Sequence, residues 1–430
     1  MNNILKADHP KGLYLLFAVE MWERFSYYGM RALLVLYMVK FLMFDTQKAG
    51  QIYGTYTGLV YLTPLIGGYI ADRYLGAKNS ILIGGILIAL GHFTLAFQAM
   101  PCFYSALAFL IIGNGFFKPN ISTLAGSLYE KGDSRRDAGF TIFYMGINIG
   151  AFFSPLVCGT LGEKFGFHYG FAAAGVGMVL GLILYMWGKD KFLSANDIKE
   201  QKIQSQGVKN IKNEPLSKEE KQKIAVIFIL MFFAIFFWTS FEQAGSSLTL
   251  FADRYTNRVL PFLNWEVPVS YFQSINPLLI MILAPLFSQL WIKLSLNQKE
   301  PSTPAKFAMG LGFVAFGFVL MIMASCLVGE SSKVSALWLV SVYFFHTVGE
   351  LCLSPVGISM VSKLAPVKFA SMLMGIWFLS SFFANLSAGL FAGRYDLMDH
   401  RIFFLIPTLF AGISAIILVF LIKPIKRLMG

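Results

Sequence analysis

Apolar stretches of about twenty residues recur along the whole chain, and that recurrence leaves few folds open. A bilayer's hydrocarbon core takes about 20 helical residues to cross. Backbone amides inside it must be satisfied internally, as they are in a helix. The stretches fall near 13–42, 51–71, 80–99, 103–128, 138–162, 167–188, 224–252, 269–292, 305–328, 335–362, 367–393 and 402–423. The sequence therefore predicts an all-α polytopic membrane protein with twelve transmembrane helices. Charged residues are 13% of the chain and hydrophobic ones 56%, against roughly 25% charged in a soluble domain.

Lysine and arginine set the expected orientation. With the N-terminus inside, one face receives Lys6, Lys11, Arg73, Lys78, Lys131, Arg135, Arg136, Lys293, Lys299, Lys306, Lys363, Lys368, Lys423, Lys426 and Arg427. The polar segment 189–223 adds nine lysines. The other face receives Lys48, Lys164, Arg254, Arg258, Lys333, Arg394 and Arg401. Both termini are expected in the cytoplasm, in the inner (plasma) membrane. The net charge of +12 is then spread over loops on one membrane face and does not call for a nucleic-acid partner. The first apolar segment carries Glu20, Glu23 and Arg24, so it does not read as a cleavable signal peptide. Cys102, Cys158, Cys326 and Cys352 show neither metal spacing nor a pairing pattern.

Segment 189–223 divides the chain into 1–188 and 224–430, each with six spans. It reads as a solvated cytoplasmic linker, with a capping-box pattern at Ser217-Lys218-Glu219-Glu220. The halves are faintly alike. Gly113-Asn114-Gly115-Phe116-Phe117-Lys118-Pro119 resembles Gly349-Glu350-Leu351-Cys352-Leu353-Ser354-Pro355. Pro64 precedes Asp72, and Pro285 precedes Lys293, by the same interval. Two related six-helix bundles are the repeat plan of the major facilitator fold, with a substrate site near the midplane between them.

Ionisable groups at membrane depth cost roughly 2.5–3.5 kcal/mol each on insertion scales, so they mark function. The first span holds Glu20, Glu23, Arg24 and Arg31. Glu20 and Arg24 lie one turn apart, and Tyr27, Tyr28 and Arg31 continue the stripe. Lys118 stands in mid-helix, before Pro119, too far from the basic loop to snorkel: fifteen residues of helix is roughly 20 Å. Glu242 lies among Phe236, Phe237, Trp238 and Phe241, where an ionised carboxylate is costly without a cation. That makes it a candidate proton carrier, with Arg31 as its expected partner. Glu350 lies one turn before Ser354 and can receive an ammonium group. His92 and His346 are read as hydrogen-bonded helix-packing histidines. Asn148, Tyr61, Trp377 and Asn276, which precedes Pro277, are further polar or amphipathic residues inside spans. The chain shows no P-loop, zinc spacing or nucleophile elbow, so it is not expected to be an enzyme.

Taken together these residues identify a resemblance. The run 20–29 (Glu-Met-Trp-Glu-Arg-Phe-Ser-Tyr-Tyr-Gly), the helix 4 run 113–120, Phe143-Tyr144-Met145-Gly146-Ile147-Asn148-Ile149-Gly150, Phe241-Glu242-Gln243, 272–277 and 349–355 resemble the proton-dependent oligopeptide transporters of the major facilitator superfamily. The resemblance covers nearly the full chain. It implies a symporter of di- and tripeptides working by alternating access. It implies that Arg24 and Lys118 receive the peptide carboxylate, and that Glu350, Asn148 and Asn276 receive the amino end. Proton coupling falls to Glu20, Glu23 and Glu242 with their cation partners, and pocket lining to Tyr27, Tyr28, Tyr61, Trp238 and Trp377. No cofactor is expected, the proton gradient being the driving force, and no obligate protein partner is evident. Many bacterial members carry two extra helices between the halves. Segment 189–223 is too polar for them, so twelve helices are expected rather than fourteen. The nearest rival reading is a transporter of the same fold with another small substrate.

Overall fold

Each apolar stretch folds into a helix because only a helix satisfies its own backbone in lipid. The computed structural model describes residues 8–130, 133, 135–193, 216–260, 264–329 and 332–429. Among them are twelve long helices: α1 Lys11–Leu36, α2 Thr46–Ile70, α3 Ala77–Leu95, α4 Met100–Gly126, α5 Arg136–Thr160, α6 Phe167–Phe192, α7 Lys218–Phe241, α8 Ile275–Leu296, α9 Thr303–Leu327, α10 Leu337–Leu364, α11 Ala370–Ala392 and α12 His400–Met429. Helices α1, α2 and α5 end in π-helical turns, and α7 runs on through a 3-10 turn, Glu242–Gly245, into the short helix Ser247–Tyr255. Two short two-residue strand pairs join loop segments, 256–257 with 334–335 and 259–260 with 265–266.

Among the described residues, ten segments are long and apolar enough to cross a membrane. Helices α1 and α2 do not meet that composition although they have 26 and 25 residues. In α1 the reason is the buried charge at Glu20, Glu23, Arg24 and Arg31. In α2 it is a run rich in glycine, tyrosine and threonine. The expected capping box is present: Ser217 accepts from the Glu220 amide and Glu220 accepts from the Ser217 amide. It stops one orphan helix end from fraying where the polar segment meets α7. The middle of the linker, 194–215, lies outside the described residues.

The chain forms two compact units, Met1–Met30 with Leu62–Lys212, and Arg31–Tyr61 with Asn213–Gly430. A division at the linker alone does not capture this, because the end of α1 and the start of α2 pack with the second unit. Both units are assembled through glycine contacts, since small residues let helix backbones approach closely in lipid. In the first unit, a Cβ on Gly84 of α3 would stand 2.6 Å from the Gly113 carbonyl oxygen of α4. Gly146 and Gly150 of α5 rest on Phe17 and Met21 of α1. Pro119 cannot donate to the Gly115 carbonyl, and Gly67 of α2 packs directly on that oxygen.

In the second unit, Gly310 of α9 meets Gly349 of α10, and Gly50 and Gly54 of α2 meet Gly389 of α11. A Cβ on Gly54 would lie 2.7 Å from the Gly389 Cα, a backbone atom that cannot swing aside. Gly54→Leu is therefore expected to destabilise the protein by about 1–3 kcal/mol, as overpacking does. Gly312→Ala is the matched control, because a Cβ there meets nothing within 4 Å. Thermal unfolding in detergent reads both. A Gly54→Leu protein that unfolds at the wild-type temperature would refute this account of the α2–α11 contact.

Candidate functional site

The first-unit charges converge on one buried cluster. Helical spacing places Glu20, Glu23 and Arg24 on adjoining positions of α1, and they are only 2%, 0% and 3% exposed. The Arg24 Nε lies 3.1 Å from Glu20 Oε1 and donates to Glu23 Oε2. Asn114 of α4 donates its amide to Glu23 Oε1 at 3.2 Å. Lys118 stands one turn along from Asn114, so both belong to one face of α4, and the Lys118 charge acts on Glu20. The Arg24 guanidinium also lies over the Tyr27 ring at 5.4 Å, and Tyr27 packs edge-on against Tyr28.

Arg24 Nη2, Glu20 Oε2 and Asn114 Oδ1 of this cluster are buried without a hydrogen-bond partner among the described residues. Buried polar atoms are seldom left unsatisfied. Donors and acceptors left over in one cluster suit a site that takes an incoming anion or proton.

Asn148 of α5 is also in this unit. It is buried, and its amide donates back to the Tyr144 carbonyl at 3.0 Å.

The second unit holds two further sets. Arg31 is ion-paired with Glu242, and its Nε donates to the Tyr53 hydroxyl at 2.7 Å. Glu242 is at the end of α7, where the helix tightens into the 3-10 turn, and both charges are largely buried. Gly245 makes room for the pair: a Cβ there would strike the Tyr53 ring end and approach Arg31 Nη2 at 3.4 Å. The sequence expectation that Arg31 answers Glu242 agrees with this contact.

The other set is on α8 and α10. Asn276 donates to Glu350 Oε2 at 2.8 Å and to Thr347 Oγ1 at 3.0 Å. Both Asn276 and Glu350 remain half-buried, as does Ser354 one turn on.

The aromatic candidates divide. Trp238, Tyr28 and Tyr61 are half-buried, and Trp238 packs edge-on against Phe237 and Phe241. Trp377 is 5% exposed and is wedged against Phe307 and Gly357, which is the environment of a core residue. His346 sits in the space left by Gly317 and beside Phe318, with a hydrogen bond to the Val314 backbone. That is the helix-packing role expected of it. Neither ring nitrogen of His92 has a partner among the described residues.

Three partners escaped sequence reading: Asn114, Tyr53 and Thr347. Asn114 had a usable signal, since it stands four residues before Lys118 on the same helix face. Tyr53 and Thr347 had none, being ordinary residues of helical spans.

The model of the POT family matches residues 78–212 and 189–403, two pieces that meet at the polar linker. The chain is 37% identical to the peptide transporter YePEPT of Yersinia enterocolitica, over 98% of this chain and 96% of that one.

The chain belongs to the POT family.

It is also 34% identical to the di-/tripeptide transporter of Lactococcus lactis subsp. lactis, over 100% of this chain and 99% of that one. A crystal structure of a peptide transporter POT in complex with sulfate is similar in fold, with a TM-score of 0.89 at 34% identity. That match covers 98% of this chain and 96% of the other. As a POT protein with ten apolar membrane-length segments, the chain is a multi-pass membrane protein, consistent with the plasma membrane.

Proposed function

We propose that this POT protein is a proton-coupled symporter that imports di- and tripeptides by alternating access. The observation that carries the reading is the paired but incompletely satisfied charge at membrane depth. One unit holds Arg24 and Lys118 beside Glu20 and Glu23, and the other holds Glu350 with its Asn276 clamp. A short peptide is a zwitterion. Its carboxylate goes to Arg24 and Lys118, and its ammonium goes to Glu350, Asn276 and Asn148. Both poles bear a desolvation cost that the ligand offsets.

The proton enters through a carboxylate whose cation can leave. Glu242 is held by Arg31, and Glu20 and Glu23 by Arg24, so each acid has a cation that competes with a proton. A gradient of one pH unit supplies about 1.4 kcal/mol per proton, and 100 mV about 2.3 kcal/mol. Either biases a conformational cycle roughly tenfold or more. All twelve long helices cross the bilayer in this reading, with both termini in the cytoplasm. The loop bias in lysine and arginine supports that orientation. No cofactor takes part.

Purified protein in liposomes tests the proposal. An inward acid gradient is expected to drive accumulation of labelled dipeptide, competed by di- and tripeptides and not by free amino acids. Accumulation that ignores the gradient, or equal competition by free amino acids, would overturn it.

The amino-end assignment has its own expected outcome. An N-acetylated dipeptide presents no ammonium and leaves the Glu350 carboxylate without its partner, at a cost of about 1–3 kcal/mol or more. Free dipeptide should therefore compete roughly tenfold better than its acetylated form. Equal potency of the two would contradict the role given to Glu350.

A further inference from the structure

Thr347 lies three residues, nearly one turn, before Glu350 on α10 and is fully buried. Its hydroxyl donates to the Tyr343 carbonyl at 2.7 Å. A hydroxyl has one proton, so the same oxygen can only accept from Asn276, 3.0 Å away. That settles which way the Asn276 amide faces. Its NH2 group, which has two donors, points at Thr347 Oγ1 and Glu350 Oε2. Its carbonyl oxygen is turned the other way.

This has a consequence for any proton that Glu350 takes up. An amide NH2 cannot accept a hydrogen bond. A carboxyl hydroxyl oxygen accepts far more weakly than a carbonyl one, so a proton on Oε2 would weaken the bond from Asn276. The proton, arriving from water, therefore forms its O–H bond at Oε1 in preference to Oε2. Oε1 accepts no hydrogen bond from the described residues, so it is also the oxygen left for a ligand's ammonium. We propose that Thr347 is a positioning residue: by fixing the Asn276 amide it confines the Glu350 proton to the one oxygen that receives the peptide ammonium. Proton and ammonium then exclude each other at Oε1, and one must leave to solvent before the other binds.

Without the Thr347 hydroxyl the amide is free to turn over. A proton on Oε2 could then be donated to the Asn276 carbonyl oxygen, and Oε1 would still accept an ammonium. The exclusion would be lost. The inference rests on the assignment of the peptide's amino end to Glu350, and the experiment separates the two.

Binding of free dialanine and of N-acetyl-dialanine is measured in detergent, without a gradient, over a range of pH. The ratio of the two affinities isolates the ammonium contact. The other titratable groups that bear on Glu350 are the same in wild type and variant, so they cancel when the two slopes are compared. They are Glu242 at the end of α7 with Arg31 bound to it, Tyr343 and His346 on α10 itself, and Lys306 of α9, which acts on Cys352. Helix α11 carries no titratable side chain, and α8 presents the neutral Asn276.

In the wild type the free peptide should bind better at neutral pH, with a preference that falls on acidification, approaching about tenfold per pH unit once Glu350 is protonated. Thr347→Ser keeps the acceptor and should keep that slope. Thr347→Val removes it and should flatten the slope while leaving the neutral-pH preference largely in place. A Thr347→Val protein with the wild-type slope would overturn the role of Thr347 and leave the Glu350 assignment standing. Equal binding of the two peptides by the wild type at neutral pH would sink the assignment itself. Should Thr347→Val fail to fold, the wild type still decides: a free-to-acetylated ratio that does not change with pH overturns the shared-oxygen proposal.

Discussion

Glu242→Gln is expected to abolish uphill uptake driven by a proton gradient while leaving peptide exchange across the membrane intact. The carboxylate is paired with Arg31, and Arg31 is further held by the Tyr53 hydroxyl. Both charges are nearly withdrawn from solvent, so neither is stable there alone. Breaking a buried pair by removing one partner typically costs about 3–5 kcal/mol. A proton on Glu242 does this reversibly, and glutamine imitates the neutral form permanently. The exchange half of the cycle needs no such switch. Arg31→Ala should disturb the same step, because it removes the cation that competes with the proton. Tyr53→Phe should do so mildly, losing one hydrogen bond worth about 1 kcal/mol. Gradient-driven accumulation and counterflow are measured on one liposome preparation. Retained accumulation in Glu242→Gln would remove it from coupling, and loss of counterflow as well would make it a structural or binding residue.

Lys118→Ala is expected to eliminate gradient-driven uptake and to weaken peptide binding by about 2–5 kcal/mol, roughly thirtyfold at the least. Arg24 already serves Glu20 and Glu23. A peptide carboxylate arriving there needs a second cation, and Lys118 is the one whose charge already reaches this cluster. Its place before Pro119, on the face of α4 that carries Asn114, keeps it in the span. Lys118→Arg preserves the charge but replaces a compact ammonium by a planar fork, so it should recover binding in part. Binding is read in detergent and uptake in liposomes. Concentrative uptake at the wild-type level in Lys118→Ala would take this lysine out of the mechanism.

What could be read from the chain itself was whatever depends on neighbours in sequence. Span length is a local property set by bilayer thickness, so the apolar runs and the helices agree closely. The capping box at Ser217–Glu220 is local too. The charges of α1, Lys118, Glu242 and Glu350 stood out because an ionisable residue within an apolar run is conspicuous without any knowledge of its surroundings. The motifs around them then sufficed to indicate the family.

Tertiary structure alone decided what each charge touches. Asn114 bonds Glu23, Tyr53 bonds Arg31, and Thr347 turns the Asn276 amide toward Glu350. It also placed Arg31–Tyr61 with the second unit and packed Trp377 against Phe307. Each of these depends on how helices are rotated about their axes and how near they come. In lipid that is set by close packing rather than by hydrophobicity, since tails and side chains are equally apolar. Here the close approaches are glycine on glycine, Gly84 with Gly113 and Gly54 with Gly389, between positions far apart in the chain whose pairing leaves no mark on the sequence around either one.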